Sequence, residues 1–241
     1  MKSFLLISSI VNAVSLVVLI LLVGVQIPSF SMWFYTWQYG VNNTYEVVNM
    51  QRQDLHEVTR HIIQYLQGNL NREYGLQIYT IVGGYERPFF SEIEIRHMVD
   101  VYDLFSIGIA LRNIVAMLFL LSFILILWIL WRGVNIKKPL NYFLKSLKYT
   151  SVLMLGILAT LIVLAIINWH RAFVIFHEIF FNNDYWRLNP NIDLLLNIVP
   201  YSFFITVSIF IGVFFAMGLA LIFAISSMML RRSKKSIFSY R

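Results

Sequence analysis

The chain contains four apolar runs that are each long enough to cross a membrane, at residues 4–26, 105–131, 149–169 and 201–230. The hydrocarbon core of a bilayer is about 30 Å thick and a helix rises about 1.5 Å per residue, so about 20 apolar residues make one crossing. The first run is longer than the apolar part of a secretory signal, which favours a membrane anchor. Four membrane-spanning helices are therefore predicted.

The acidic residues and the histidines are confined to two of the segments between these runs. All 12 Asp and Glu residues and all five His residues lie within 27–104 and 170–200. The segments 132–148 and 231–241 carry Lys and Arg without any acid. Because cytoplasmic segments of membrane proteins are enriched in Lys and Arg, we predict that both termini and the loop 132–148 are cytoplasmic. An outer cap (27–104) and an outer loop (170–200) then face away from the cytoplasm.

The basic character of the chain comes from these cation-rich segments. The formal net charge is +7 and the sequence pI is about 9.6. In a soluble protein this charge would indicate nucleic-acid binding. Here the cations flank membrane spans, so membrane lipids are the expected partners and nucleic acid is not. The chain has no cysteine, which excludes disulfides, a thiolate nucleophile and cysteine metal ligands.

Local patterns in the outer cap predict a mixture of helices and a hairpin. Apolar residues recur at 3–4 residue spacing over 52–67, which is typical of an amphipathic helix. Alternation over 76–88 around Gly83-Gly84 predicts a β-hairpin. Ser91 followed by Glu94 is typical of a capping box at a helix start. The predicted fold class is a four-transmembrane-helix bundle with an extracytoplasmic α+β cap.

Two of the outward histidines have neighbours that suit proton transfer. On a helix beginning near Ser91, His97 lies one turn from both Glu94 and Asp100. His177 lies two turns after His170 on a second predicted helix. The other two histidines, on the amphipathic helix, are expected to be structural.

Several other chemistries are poorly matched by the sequence. The zinc pattern H-E-x-x-H is absent because residue 181 is Phe. A composite metal site made of Glu94, His97, His177 and Glu178 remains an alternative. No serine lies in a G-x-S-x-G turn, so histidine is the expected proton carrier. Arg112, the one charge inside a predicted span, either reaches toward the interface or binds a lipid oxygen.

Two sequence blocks carry a resemblance to a known family: FSEIEIRHMVDVYDLF at 90–105 and FHEIFFNNDYWRLNPNIDLLLNIVP at 176–200. Placed on four spans in this order, they resemble the lipoprotein intramolecular transacylase family of bacterial integral membrane proteins. The resemblance covers the whole architecture, and its specific part is these two blocks. It implies a cell-membrane enzyme that moves the sn-2 acyl chain of a diacylglyceryl lipoprotein to the α-amine of its own N-terminal cysteine, giving lyso-form lipoprotein.

The resemblance also implies a site. Its catalytic residues in this chain are His97 and His177, with no cofactor, no metal and no covalent acyl-enzyme. The partners are a diacylated membrane lipoprotein substrate and membrane lipids. Five residues are expected to support the histidines: Glu94, Asp100, Glu178, Asp184 and Arg112. Five aromatic residues are expected to line a substrate chamber at the boundary between cap and membrane: Trp33, Tyr35, Phe173, Tyr185 and Trp186.

An ester-to-amide transfer needs a deprotonated amine and a protonated leaving oxygen. Two imidazoles near their unperturbed pKa of about 6.5 suit both steps. The sequence leaves open which histidine is the base, and the neighbouring Glu94 and Asp100 favour His97. Two alternative functions stay open at this point, a metal-dependent membrane hydrolase and a non-enzymatic membrane scaffold or receptor.

Overall fold

The computed structural model describes residues 2–132 and 137–238, with side chains placed for 3–132 and 140–233. In this part of the chain the elements are, in order, α1 (Lys2–Ser29), α2 (Met32–Val41), α3 (Thr44–Val47), α4 (Arg52–Leu66), β1 (Tyr79–Val82), β2 (Tyr85–Pro88), α5 (Glu92–Trp131), α6 (Lys137–Ile167), α7 (Trp169–Phe180), α8 (Leu194–Ile198) and α9 (Tyr201–Phe238).

The four predicted spans lie in α1, α5, α6 and α9, each of which is long and apolar enough to cross a membrane. The helix α5 has 40 residues and is therefore about 60 Å long, twice the thickness of the hydrocarbon core. Its charged first turns precede the predicted span at 105–131 and lie outside it. The prediction of four spans is confirmed.

The predicted cytoplasmic loop is more helical than the sequence indicated, whereas the outer loop contains the helix predicted around His170 and His177. The helix α6 begins at Lys137, so much of the predicted loop 132–148 is helix, and residues 133–136 lie outside the described residues. The predicted outer loop 170–200 contains most of α7 and all of α8. Charged residues that flank a span continue its helix because the backbone hydrogen-bond ladder does not require an apolar environment.

The chain divides into two compact units. The first, called the helical unit here, comprises Met1–Gly24, Ala110–Asn168 and Ile211–Arg241. Its helices approach closely where side chains are small: a Cβ at Gly218 of α9 would lie 2.8 Å from a methyl carbon of Ile20 on α1. Glycine at this contact lets the two backbones pack.

Polar side chains also join helices inside the helical unit. The amide of Asn12 on α1 donates hydrogen bonds to the Ser122 hydroxyl and to the Phe119 carbonyl of α5, both at 3.0 Å. The Asn12 side chain is fully buried. In the absence of water such bonds help to hold transmembrane helices together.

The second unit, called the cap unit here, comprises Val25–Ile109 and Trp169–Phe210. The amphipathic helix predicted at 52–67 is α4, and its apolar face, including Leu55 and Val58, is buried in the core of this unit. The prediction is confirmed. The aromatic segment before it forms α2, whose Phe34 is completely buried.

The predicted hairpin is also confirmed. Strands β1 and β2 pair antiparallel, with Val82 opposite Tyr85 across the two-residue turn. Gly83 and Gly84 have φ of 62° and 86°. Positive φ at both turn positions is what a type I′ hairpin turn requires, and glycine adopts it without a steric cost.

Candidate active site

The two histidines predicted to be catalytic face one another in the cap unit. His97 is on α5 and His177 is on α7, and their ring centroids are 6.1 Å apart at an interplanar angle of 35°. Only 9% of His97 and 6% of His177 is exposed. Residues 80 positions apart in the sequence thus form one buried pair.

A backbone hydrogen bond sets the tautomer of His177. Its Nδ1 lies 2.8 Å from the carbonyl oxygen of Phe173, one turn earlier on α7. Since a carbonyl oxygen only accepts hydrogen bonds, Nδ1 is the protonated nitrogen. In the neutral ring, Nε2 therefore carries the lone pair and can accept a proton.

Aromatic rings surround the histidine pair. Phe181 packs against both imidazoles, with centroid distances of 5.3 Å to His97 and 5.6 Å to His177. Trp186 stacks on His177 at 4.7 Å, and Phe173 lies 4.2 Å from it. These rings separate the imidazoles from bulk water, which disfavours their charged forms.

The protonation of both histidines follows from this environment. His97 precedes the predicted span of α5, and burial, with a contribution from the charge of His177, lowers its pKa to about 4. Burial also lowers the pKa of His177, although its bond to the Phe173 carbonyl acts in the opposite direction. Both rings are therefore neutral near pH 7.

Glu94 connects the start of α5 to α8. One carboxylate oxygen accepts the Ser91 N–H at 2.6 Å and the other accepts the Leu195 N–H at 2.6 Å. The Glu94 N–H points back to the Ser91 hydroxyl at 3.4 Å, so the predicted capping box is confirmed. Burial raises the pKa of Glu94, against the effect of these hydrogen bonds.

A second buried carboxylate completes the same connection. Asp193, 5% exposed, accepts the Ser91 hydroxyl at 3.0 Å and the Asn189 N–H at 2.7 Å. The segment before α8 is thereby held against the first turn of α5. Hydrogen bonds to ionised groups are stronger than neutral ones, which suits them to a structural connection.

The structure gives Glu94 and Asp100 hydrogen-bond partners other than His97. Both oxygens of Glu94 are used by backbone amides, and Asp100 accepts the Asn183 side-chain amide at 2.8 Å. Among the described residues, Nδ1 of His97 has no hydrogen-bond partner. The geometry therefore removes the reason for favouring His97 as the base.

The remaining supporting residues occupy different surroundings. Glu178 is exposed. Asp184 pairs with Arg187 at 2.8 Å, and the Arg187 guanidinium lies 4.7 Å from the Trp186 ring that stacks on His177. Arg112 belongs to the helical unit, where it donates to Asn113 at 2.9 Å.

These positions also bear on the alternative metal site. Each Glu94 oxygen accepts a backbone N–H, and Glu178 is exposed. Within residues 2–132 and 137–238, no group of three or more His, Asp or Glu residues is arranged to hold a metal ion.

The predicted chamber residues divide into two groups. Phe173 and Trp186 contact His177 directly. Tyr185 contacts Arg96, whose guanidinium lies 5.7 Å from its ring. The other two belong to α2: Tyr35 is 4% exposed and part of the core, whereas Trp33 is 54% exposed.

Tyr35 packs in the core of the cap unit. Its ring lies 5.3 Å from Phe203, its hydroxyl donates to the Ser29 carbonyl at 3.2 Å, and burial raises its pKa. Trp33 packs by its edge against Phe34 at 5.6 Å. A run of adjacent aromatic residues gives no indication of which ring turns inward.

Sequence reasoning missed two contributors to the site. Phe181 is four residues after His177, and this one-turn spacing is the sequence signal for their contact. The Leu195 N–H was missed because a backbone donor has no signature in the sequence.

Comparison with known proteins identifies the family. The sequence model described as lipoprotein intramolecular transacylase Lit matches residues 10–204. The chain belongs to this transacylase family. A comparison with curated proteins found no significant match.

Solved structures show the same fold as this transacylase. The membrane integral lipoprotein intramolecular transacylase Lit from Bacillus cereus is 19% identical, with a TM-score of 0.77, and the match covers 98% of this chain and 100% of that one. Variants of that protein with one histidine changed to arginine or alanine give 18% identity and a TM-score of 0.71. The match covers 98% of this chain and 96% of the arginine variant, and 97% of both chains for the alanine variant. The present transacylase is thus an integral membrane protein with the fold of these structures.

Proposed function

We propose that this transacylase moves the sn-2 acyl chain of a diacylglyceryl lipoprotein onto the α-amine of its own N-terminal cysteine. The observation that carries the proposal is the buried pair of neutral imidazoles, 6.1 Å apart, enclosed by aromatic rings. At this separation, one acyl centre lies within hydrogen-bond reach of both rings. Family membership supports a lipoprotein as the substrate.

His177 is the proton acceptor in this proposal. Its Nδ1 is committed to the Phe173 carbonyl, which leaves the Nε2 lone pair for the amine proton. The amine nitrogen bonds to the ester carbonyl carbon as that proton moves to Nε2. The bond between the carbonyl carbon and the sn-2 oxygen then breaks, and the same proton passes to that oxygen. Atoms and charge balance without a cofactor, and the product is an isomer of the substrate.

His97 has a different role, as a neutral hydrogen-bond donor. Its lowered pKa keeps it uncharged, and a neutral imidazole N–H can stabilise the negative charge that develops on the carbonyl oxygen. Such a donor is most effective where water is excluded, as it is beside Phe181. The two imidazoles therefore divide proton transfer and charge stabilisation between them.

Holding the ester and the amine of one molecule together supplies another large part of the rate. Well-oriented intramolecular reactions gain roughly 7–11 kcal/mol over their bimolecular counterparts. The aromatic rings around the pair offer an apolar environment for the moving acyl chain. Exclusion of water also favours transfer to the amine over hydrolysis.

We further propose that the site faces the extracytoplasmic side and that both termini are cytoplasmic. The cap unit contains every Asp, Glu and His of the chain, whereas the other charged segments are purely basic. Retention of Lys and Arg on the cytoplasmic side favours this orientation.

The test uses purified protein with a synthetic diacylated lipopeptide, followed by mass spectrometry. The expected product has an unchanged mass and a blocked amine. Release of free fatty acid as the main product would instead indicate the alternative hydrolase. No conversion under conditions that support another family member would contradict the transacylase assignment for this chain.

Histidine variants test the assigned roles. His177→Asn removes the proton acceptor and should lower the rate by about 10²-fold or more. His97→Asn keeps an N–H donor and should retain more activity than His97→Ala. His56→Asn and His61→Asn are matched controls on α4, and they should be active. Equal activity of His97→Asn and His97→Ala would refute the donor role.

A further inference from the structure

A cleft in the helical unit lies between residues 145–149 of α6 and residues 227–231 of α9. Its volume is about 250 Å³. Six residues line it: Lys145, Lys148, Tyr149, Ser227, Leu230 and Arg231. Three of these are cations and two carry hydroxyl groups. The cleft is far in sequence from either histidine and plays no part in the proposed reaction.

The cations of this cleft have no carboxylate within their own unit. Every Asp and Glu of the chain lies within 27–104 or 170–200, outside all three segments of the helical unit. Lys148 instead places its ammonium 5.3 Å from the Phe223 ring centroid. No acidic side chain of the unit therefore neutralises the cleft.

An unsatisfied hydroxyl group also points to a ligand. The Ser227 Oγ is buried and has no hydrogen-bond partner among the described residues. A buried hydroxyl left unpaired costs about 1–3 kcal/mol, so a ligand oxygen that pairs with it gains that interaction. Together with the Tyr149 hydroxyl, it offers directional donors beside three positive charges.

We propose that this cleft binds the phosphate of an anionic phospholipid headgroup. Phosphate oxygens match a set of cations and hydroxyl donors. The lining residues lie at the ends of the predicted spans 149–169 and 201–230, which is the depth of the headgroup layer. Leu230 and the Phe223 ring add apolar surface suited to the glycerol and the first acyl carbons. This position favours a lipid phosphate over free phosphate.

The proposal can be tested by native mass spectrometry of the purified full-length chain. The protein is titrated separately with phosphatidylglycerol, phosphatidylcholine and inorganic phosphate. Phosphatidylglycerol should bind at least tenfold more tightly than phosphatidylcholine, and inorganic phosphate should not displace it. Equal retention of the two lipids, or binding of inorganic phosphate without a preference for phosphatidylglycerol, would overturn the proposal.

Charge-matched variants locate the site. Lys148→Gln/Arg231→Gln removes two lining cations and should weaken phosphatidylglycerol binding roughly tenfold or more. Arg132→Gln/Arg232→Gln removes the same charge from residues that do not line the cleft and should bind as the wild type does. Equal losses in both double variants would show a general charge effect and refute a defined site.

A single substitution tests the site even if the double variant does not fold. Ser227→Ala removes only the unpaired hydroxyl and leaves the charge unchanged. It should weaken phosphatidylglycerol binding a few-fold. Unchanged binding would show that Ser227 does not contact the headgroup and would refute the proposed geometry.

Discussion

Replacing Glu94 by alanine should destabilise the cap unit without changing the proton chemistry of the site. The Glu94 side chain is 1% exposed, and it accepts the N–H groups of Ser91 and Leu195, each at 2.6 Å. Alanine removes both acceptors at once. The two N–H groups would then lose their acceptors, the Leu195 N–H in a buried position and the Ser91 N–H in a part-buried one.

The expected loss of unfolding free energy follows from the two lost hydrogen bonds. A buried donor left unpaired costs about 1–3 kcal/mol, so two cost roughly 4 kcal/mol. For a chain of 150–250 residues, each kcal/mol shifts the unfolding temperature by about 2–4 °C. The expected fall is therefore on the order of 8–16 °C.

Thermal unfolding of the purified protein, followed by tryptophan fluorescence, measures this shift. Glu92→Ala is a matched control two residues earlier: its carboxylate pairs with Arg96, but the two side chains are 81% and 55% exposed. Solvent screens exposed ion pairs, so they contribute little to stability, and the control should unfold close to the wild-type temperature.

The same pair of variants separates a structural role from a catalytic one. If Glu94 connects helices, the pH profile of the activity that remains in Glu94→Ala should match that of the wild type. An unchanged unfolding temperature combined with a shifted pH profile would refute the reasoning, because it would show that Glu94 acts on the basicity of His97.

Three further outcomes are expected. Because burial lowers the pKa of His97 to about 4, from 6.5, the stability that neutral His97 contributes is complete above about pH 6.5 and is lost as the pH falls toward 4. The unfolding temperature of the wild type should therefore fall more steeply on acidification than that of His97→Asn, and parallel curves would contradict the lowered pKa. Trp186→Leu removes the ring stacked on His177 and should lower the rate of transfer about tenfold without changing the product. Trp37→Leu, at a half-exposed position, should leave the rate unchanged. Equal rates in the two variants would show that the stacked ring does not position His177. A cysteine at Gln67 should react with a membrane-impermeant thiol reagent in intact cells and one at Lys138 should not, and labelling at Lys138 would reverse the proposed orientation.

An apolar environment suits the proposed proton transfer. Burial keeps both imidazoles neutral, so one can accept a proton while the other donates a hydrogen bond. Arg187 lies on the ring of Trp186 and is itself paired with Asp184. These contacts extend the packing of His177 to the surface of the cap unit. Asp184, expected to support catalysis, would do so through this packing.

Features that depend on neighbouring residues could be predicted from the sequence. The spans follow from the length of each apolar run, α4 from its 3–4 residue periodicity, and the hairpin from Gly83-Gly84. The capping box of Ser91 and Glu94 joins residues only three apart. In each case the physical cause acts within a few turns of the chain, so the local pattern is sufficient.

The tertiary structure decided what the local pattern leaves open. It brought His97 and His177 together, used both oxygens of Glu94 for backbone amides, and buried Tyr35 in the core. The family resemblance could name two histidines, but the sequence did not show that backbone amides and Asn183 are the partners of the neighbouring carboxylates. A carboxylate one turn from an imidazole accepts hydrogen bonds from the donors that tertiary packing places nearest to it. Here one of those donors is the Leu195 N–H of α8, about 100 residues later in the chain.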